Sequence, residues 1–167
     1  MNAVVKLTLP ALVAALLGAA LNSAAAQPLQ RSLVGTWTLV GGSIYQGNAT
    51  SEPFGPQALG TLVLDPGQRF VLLIARPDLP KFATARRDAG TPEENQAVLA
   101  GLLALMGTYR VSGDGQSLTF HVEAGTFPNW VGTDQPCPFT LTGDQMIWLH
   151  PSAIGPGLAQ LVWRHAP

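Results

Sequence analysis

The chain has 167 residues, of which 47% are hydrophobic and only 11% charged, with a formal net charge of −1. It carries no basic stripe of the kind that neutralises phosphates, which argues against nucleic-acid binding. A single cysteine and three scattered histidines do not supply the usual thiolate or imidazole metal clusters, so no metal and no cofactor is expected.

The chain begins with one lysine at position 6, an apolar run from Leu7 to Leu21, and small residues at Ala24 and Ala26 before Gln27. This is the pattern of a secretory signal with an A-x-A cleavage site. The run is shorter than the roughly 20 residues that span a bilayer, so a cleaved signal over residues 1–26 is expected, with no stable membrane anchor afterwards. Residues 27–167 are enough for one domain with its own core, expected to be exported to a periplasm or the medium.

From residue 33 the sequence reads as short strands and turns. LVGTWTLVGGSIY (33–45) is rich in β-branched and aromatic residues, and its Gly-Gly predicts a bend or bulge within one long strand. GTLVLDPGQRFVLLIAR (60–76) predicts a hairpin about Asp65-Pro66-Gly67. An irregular stretch then leads to Thr91-Pro92-Glu93-Glu94, which offers an N-cap, a proline at the first helical position and a glutamate three residues past the cap. A helix is predicted from Pro92 to Met106, with Val98, Leu102, Leu105 and Met106 on its apolar face and Gly107 ending it. Such a helix would pack on a sheet or plug one end of a barrel. GTYRVS and SLTFHVEA form a second hairpin around Gly113-Asp114-Gly115; PFTLTG and QMIWLHP form a third around Gly143-Asp144, and AQLVWRH ends the series. About eight strands with one inserted helix predict an all-β fold, an antiparallel up-and-down barrel of the lipocalin type, with a two-sheet sandwich as the alternative.

Seven blocks in order carry a family resemblance: Leu33-Val34-Gly35-Thr36-Trp37, Pro53-Phe54-Gly55-Pro56, Gly90 to Glu94, Gly107-Thr108-Tyr109, His121-Val122-Glu123, Phe127 to Thr133, and Leu161-Val162-Trp163. Together they resemble the bacterial lipocalin-like domain family over nearly the whole of the expected mature chain. The resemblance implies a small β-barrel with a helix and a cavity suited to an apolar or amphipathic molecule; it brings no catalytic residue. Members often look cytoplasmic, whereas this chain has a signal, and the hairpin at 60–76 usually carries a tyrosine and a methionine where Leu64 and Phe70 stand here.

Several residues are candidates for function. Trp37 and Arg164 could stack where the first and last strands meet, as a structural lock. On the strand around residue 120, period-two alternation sets Leu118, Phe120 and Val122 on one face and Thr119, His121 and Glu123 on the other. Facing an enclosed space, His121 and Glu123 would form a general base; facing water, they are ordinary surface. In the loop GTFPNWVGTDQPCPF (125–139), Phe127 and Trp130 either cover one end of the barrel or form a pocket rim, with Asn129 as its polar handle. Trp148 and Met146 share a face with His150, and Tyr109 could join them in a cavity wall. Arg76, Arg86 or Arg87 could hold a ligand carboxylate. Cys137, without a partner in the chain, is a small buried side chain or a reactive thiol.

The reading that unites these features is an exported, non-catalytic barrel that binds a small hydrophobic or amphipathic ligand, with Tyr109, His121, Glu123, Asn129, Trp130 and Trp148 as ligand-binding candidates. The alternatives are a barrel isomerase or cyclase using His121 and Glu123 for proton transfer, and a structural or protein-binding envelope module with a filled interior.

Overall fold

A computed structural model describes residues 29, 31–151 and 156–167, so the expected signal lies outside the described residues. Nine strands follow one another: β1 (Gly35–Gln46), β2 (Ala49–Ser51), β3 (Leu59–Leu64), β4 (Arg69–Ala75), β5 (Leu102–Val111), β6 (Ser117–Gly125), β7 (Asp134–Thr142), β8 (Gln145–Pro151) and β9 (Leu158–His165). The short β2 only folds back onto the end of β1, and from β1 the order runs β3, β4 and so on to β9, which pairs back onto β1. The result is the expected closed barrel: eight antiparallel strands in up-and-down order, whose closure removes the sheet edges.

The turns form where the sequence chemistry puts them. Between β3 and β4 the carbonyl of Asp65 accepts from Gln68 N at 3.1 Å, and its carboxylate accepts from Arg69 N at 2.8 Å. Gly143, at φ 60°, takes the first place of the two-residue turn between β7 and β8, a conformation that suits the twist of paired strands. The irregularity expected in β1 falls just before its Gly-Gly, at Val40, where the β1–β9 register shifts between Leu39 and Gly41.

The helix differs from its expectation. Its start is as predicted: Thr91 Oγ1 accepts from Glu94 N at 3.2 Å, and Glu94 Oε2 accepts from Thr91 N at 2.9 Å. Its end is not. The helix α1 spans Pro92–Gly101, and Leu102–Met106 begin β5, paired residue by residue with Ala75–Val71 of β4. A continuous apolar run fits a buried strand as well as a helix, and here an open row of β4 hydrogen-bonding groups decided it. Nor does α1 plug the barrel: Gly101 is its only buried residue, and Leu99 is 65% exposed.

Gly107 sits in mid-strand, at a bulge where the β5–β6 register shifts after Met106. A Cβ there would run into the carbonyl of His121 and lie 2.9 Å from the amide nitrogen of Glu123. Backbone cannot rotate away as a side chain can, so Gly107→Ala is expected to destabilise the barrel by about 1–3 kcal/mol, the usual cost of overpacking. Urea unfolding monitored by tryptophan emission checks this; an unchanged midpoint would mean that the bulge adjusts freely.

Inward residues fill one half of the barrel. Leu33, Trp37, Leu62, Leu64, Leu118 and Met146 are fully buried at the end where β1 starts and β9 finishes, joined there by Trp163. Tyr109 closes the same end, its hydroxyl donating to the carbonyl of Asp65 at 3.0 Å and its backbone N–H to that of Gln68 at 2.8 Å.

Candidate functional site: an apolar cavity open at one end

The other half of the barrel is not filled. A cavity of about 100 Å³ opens there. That is room for several waters, so the space suits a small organic molecule. Its walls come from strand ends that point the same way: Gly42–Ile44 of β1, Ile74 of β4, Leu103 of β5, Val122 of β6, His150 of β8 and Ala159 of β9. Deeper in stands a line of aromatic rings. Phe70 packs edge-on against Phe120 at 4.8 Å between centroids, Phe120 lies 5.1 Å from Trp148, and Trp148 lies 5.2 Å from Trp163. These tilted and edge-on contacts are the favoured aromatic geometries, so the floor is stiff. The hairpin that departs from the family pattern therefore contributes to the cavity through Phe70, while Leu64 is core at the closed end.

Two segments make the rim. The turn before β3 brings Phe54 inward until it is 6% exposed. Across from it, a 3₁₀ turn at Pro128–Trp130 presents Trp130, which packs edge-on with Phe127 and with His150 at 5.3 Å each. This flap is anchored rather than loose: Gly132 N donates to the carbonyl of Val122 at 2.8 Å, Val122 N to that of Thr133 at 3.1 Å, and Thr126 N to that of Ala104 at 2.8 Å. The loop is thus both cover and rim, with Trp130 as a wall. Asn129 is exposed and does not line the cavity.

Of the other candidates, Trp148 lines the cavity, buried to 4% exposure, whereas Tyr109 does not; it is a clasp on the β3–β4 turn. Burial pushes the Tyr109 phenol above its ordinary pKa, so it stays a neutral donor. His121 and Glu123 are on the outer face. Leu118, Phe120 and Val122 take the interior, leaving His121 Nδ1 2.8 Å from Asp134 Oδ1, and Glu123 paired with Arg69 at 2.7 Å, both among exposed side chains. Arg110, and after it His121, hold the Asp134 carboxyl below its usual range. Neither His121 nor Glu123 touches the cavity, so the isomerase or cyclase arrangement in which they act on an enclosed guest is not formed. The seam lock is also different. Arg164 lies opposite Thr38 and points outward, 3.7 Å from Asp144, and it is His165 that packs edge-on against Trp37 at 4.7 Å.

Of the arginines considered for a carboxylate, Arg76 is forked onto Asp78 and Arg86 onto Asp88, and neither these nor Arg87 lines the cavity. Cys137 is buried at the cavity wall, and burial pushes its thiol up to about 12, which makes it a small inert wall residue rather than a reactive thiolate. His150 belongs to the wall and was not among the sequence-derived site residues, although its period-two relation to Trp148 marks it. Among the described residues there is no group of three or more His, Cys, Asp or Glu that could hold a metal ion, and no helix long and apolar enough to cross a membrane.

An antiparallel barrel, packed solid at one end and hollow and apolar at the other, defines the class. A model of the lipocalin-like domain matches residues 34–165, and the chain belongs to that family. No curated protein matches it. Among solved structures it is similar to a mutant of the fluorescent protein UnaG, at 12% identity and a TM-score of 0.38, covering 82% of this chain and 98% of that one.

Proposed function

We propose that the protein is an exported carrier or receptor that binds a small hydrophobic molecule inside its barrel, without catalysis. The observation that carries the reading is the half-empty interior: a cavity walled by apolar strand ends, floored by aromatic rings and open beneath the Trp130 flap. A void of this kind forfeits packing energy that a filled core would recover, which is reasonable where a guest completes the packing. Export is supported by the apolar run at Leu7–Leu21 and the small residues at Ala24 and Ala26. The ligand contacts proposed are Trp130 and Trp148.

Native mass spectrometry of the full chain expressed with its own N-terminus tests both parts. The expected species begins at Gln27 and carries a small molecule, or takes up the fluorescent hydrophobe N-phenyl-1-naphthylamine with a Kd on the order of micromolar. Tryptophan emission should be quenched as the probe enters, because two of the four tryptophans line the cavity. His121→Ala and Glu123→Gln should leave the Kd unchanged within about twofold, since exposed ion pairs couple weakly to the interior. Absence of both a bound guest and probe uptake would refute the carrier; a chain retaining residues 1–26 would refute the export.

A further inference from the structure

The polar atoms of the cavity wall narrow the chemistry of its guest. Apart from Ser43, Gln135 and His150, the lining side chains are apolar or aromatic, and none is Lys, Arg, Asp or Glu. Gln135 donates one amide N–H to Thr133 Oγ1 at 2.7 Å and carries no charge. An anionic headgroup would therefore enter a low-dielectric space without a counter-charge, a costly placement for any ion. Arg76 and Arg86, on the segment between β4 and α1, are each neutralised by an aspartate two residues on.

His150 is different. Its Nδ1 meets the carbonyl of Pro151, and a carbonyl can only accept, so Nδ1 carries the proton. In the neutral ring that leaves Nε2 as an acceptor with a bare lone pair. Burial lowers the pKa of this histidine, offset only in part by the Pro151 carbonyl, and so favours the neutral form. Packing against Trp130 at 5.3 Å fixes the ring at the rim. The rim thus offers an uncharged acceptor beside a mostly apolar wall. A hydroxyl is the smallest neutral group that donates to it.

We propose that the guest is a neutral hydroxylated hydrophobe, an alcohol or a phenol rather than a carboxylate, whose O–H donates to Nε2 of His150. This rests on the carrier reading and specifies its ligand class.

The test compares three molecules with the same ring system, 1-naphthol, naphthalene and 1-naphthoate, by tryptophan quenching on the wild-type protein and on His150→Phe. The expected order is naphthol, then naphthalene, then naphthoate, with naphthol ahead of naphthalene by roughly five- to tenfold, the worth of one net hydrogen bond. In His150→Phe the naphthol-to-naphthalene ratio should fall to about one. His150→Gln, whose amide oxygen can still accept, should keep part of the preference and serves if the phenylalanine variant does not fold. Equal binding of naphthol and naphthalene to the wild type, or tightest binding of naphthoate, would overturn the hydroxyl handle and leave the carrier standing. A preference for naphthol that survives both substitutions in full would also overturn it. If none of the three binds, the carrier reading falls, and this inference with it.

Discussion

Replacing Trp37 by alanine is expected to lower the stability of the barrel by about 3–5 kcal/mol, the largest effect of any single truncation considered. Trp37 is fully buried at the closed end, its Nε1 donates to the carbonyl of Leu33 at 2.9 Å, and it pairs across to Leu62 on one side and His165 on the other. Its removal combines three losses: apolar burial, a void where neighbours cannot collapse, and a carbonyl deprived of its donor. For a domain of this size each kcal/mol moves Tm by about 2–4 °C or somewhat more, so a fall on the order of 10 °C or greater is expected. Trp37→Phe should lose less, because a ring still fills the site. Measured well below Tm, N-phenyl-1-naphthylamine affinity should change little, since Trp37 is at the end away from the cavity. A fall of less than about 3 °C by differential scanning calorimetry would show that the closed end is not the stabilising half.

Ala159→Trp is expected to do the opposite, removing binding while sparing stability. Ala159 stands in β9 opposite Ile44 and His150, alternates inward with Leu161 and Trp163, and lines the cavity near its mouth. An indole in place of its methyl group occupies the space the guest needs. N-phenyl-1-naphthylamine should then bind at least about tenfold more weakly, a loss of about 1.4 kcal/mol or more. Tm should hold or rise, as it does when a void is filled without strain. Wild-type affinity in this variant would place the probe outside the barrel.

The separation of these two effects reflects what the sequence could and could not convey. Turn chemistry is local, so Asp65-Pro66-Gly67 and Gly143-Asp144 announce their hairpins, and with them the strand order. The Thr91 capping box fixes the start of α1 for the same reason. Its end depended on β4, which lies on the far side of the whole irregular segment and so beyond the reach of any local signal. Side-chain alternation divided β6 into two faces but carried no sign, and in a hollow barrel a polar lining was as conceivable as an apolar one. The sign came from packing: Phe120 had Phe70 and Trp148 to meet. Trp37 meets His165 instead of Arg164 because Trp163 faces inward, so alternation along β9 turns Arg164 out and His165 towards Trp37. An inward tyrosine such as Tyr109 looks alike at either end of a barrel until the turn it clasps is known.

The β1–β9 seam has a consequence for how the molecule is made. It joins residues near opposite ends of the chain, so the ring of strands cannot complete itself until Leu158–His165 has been synthesised and delivered. Until then the nascent sheet has two raw margins, and non-local pairings of this kind are slow to form. The vulnerable interval in the life of this protein is its birth: anything that delays the arrival of the last strand leaves those margins free to pair with a neighbouring copy.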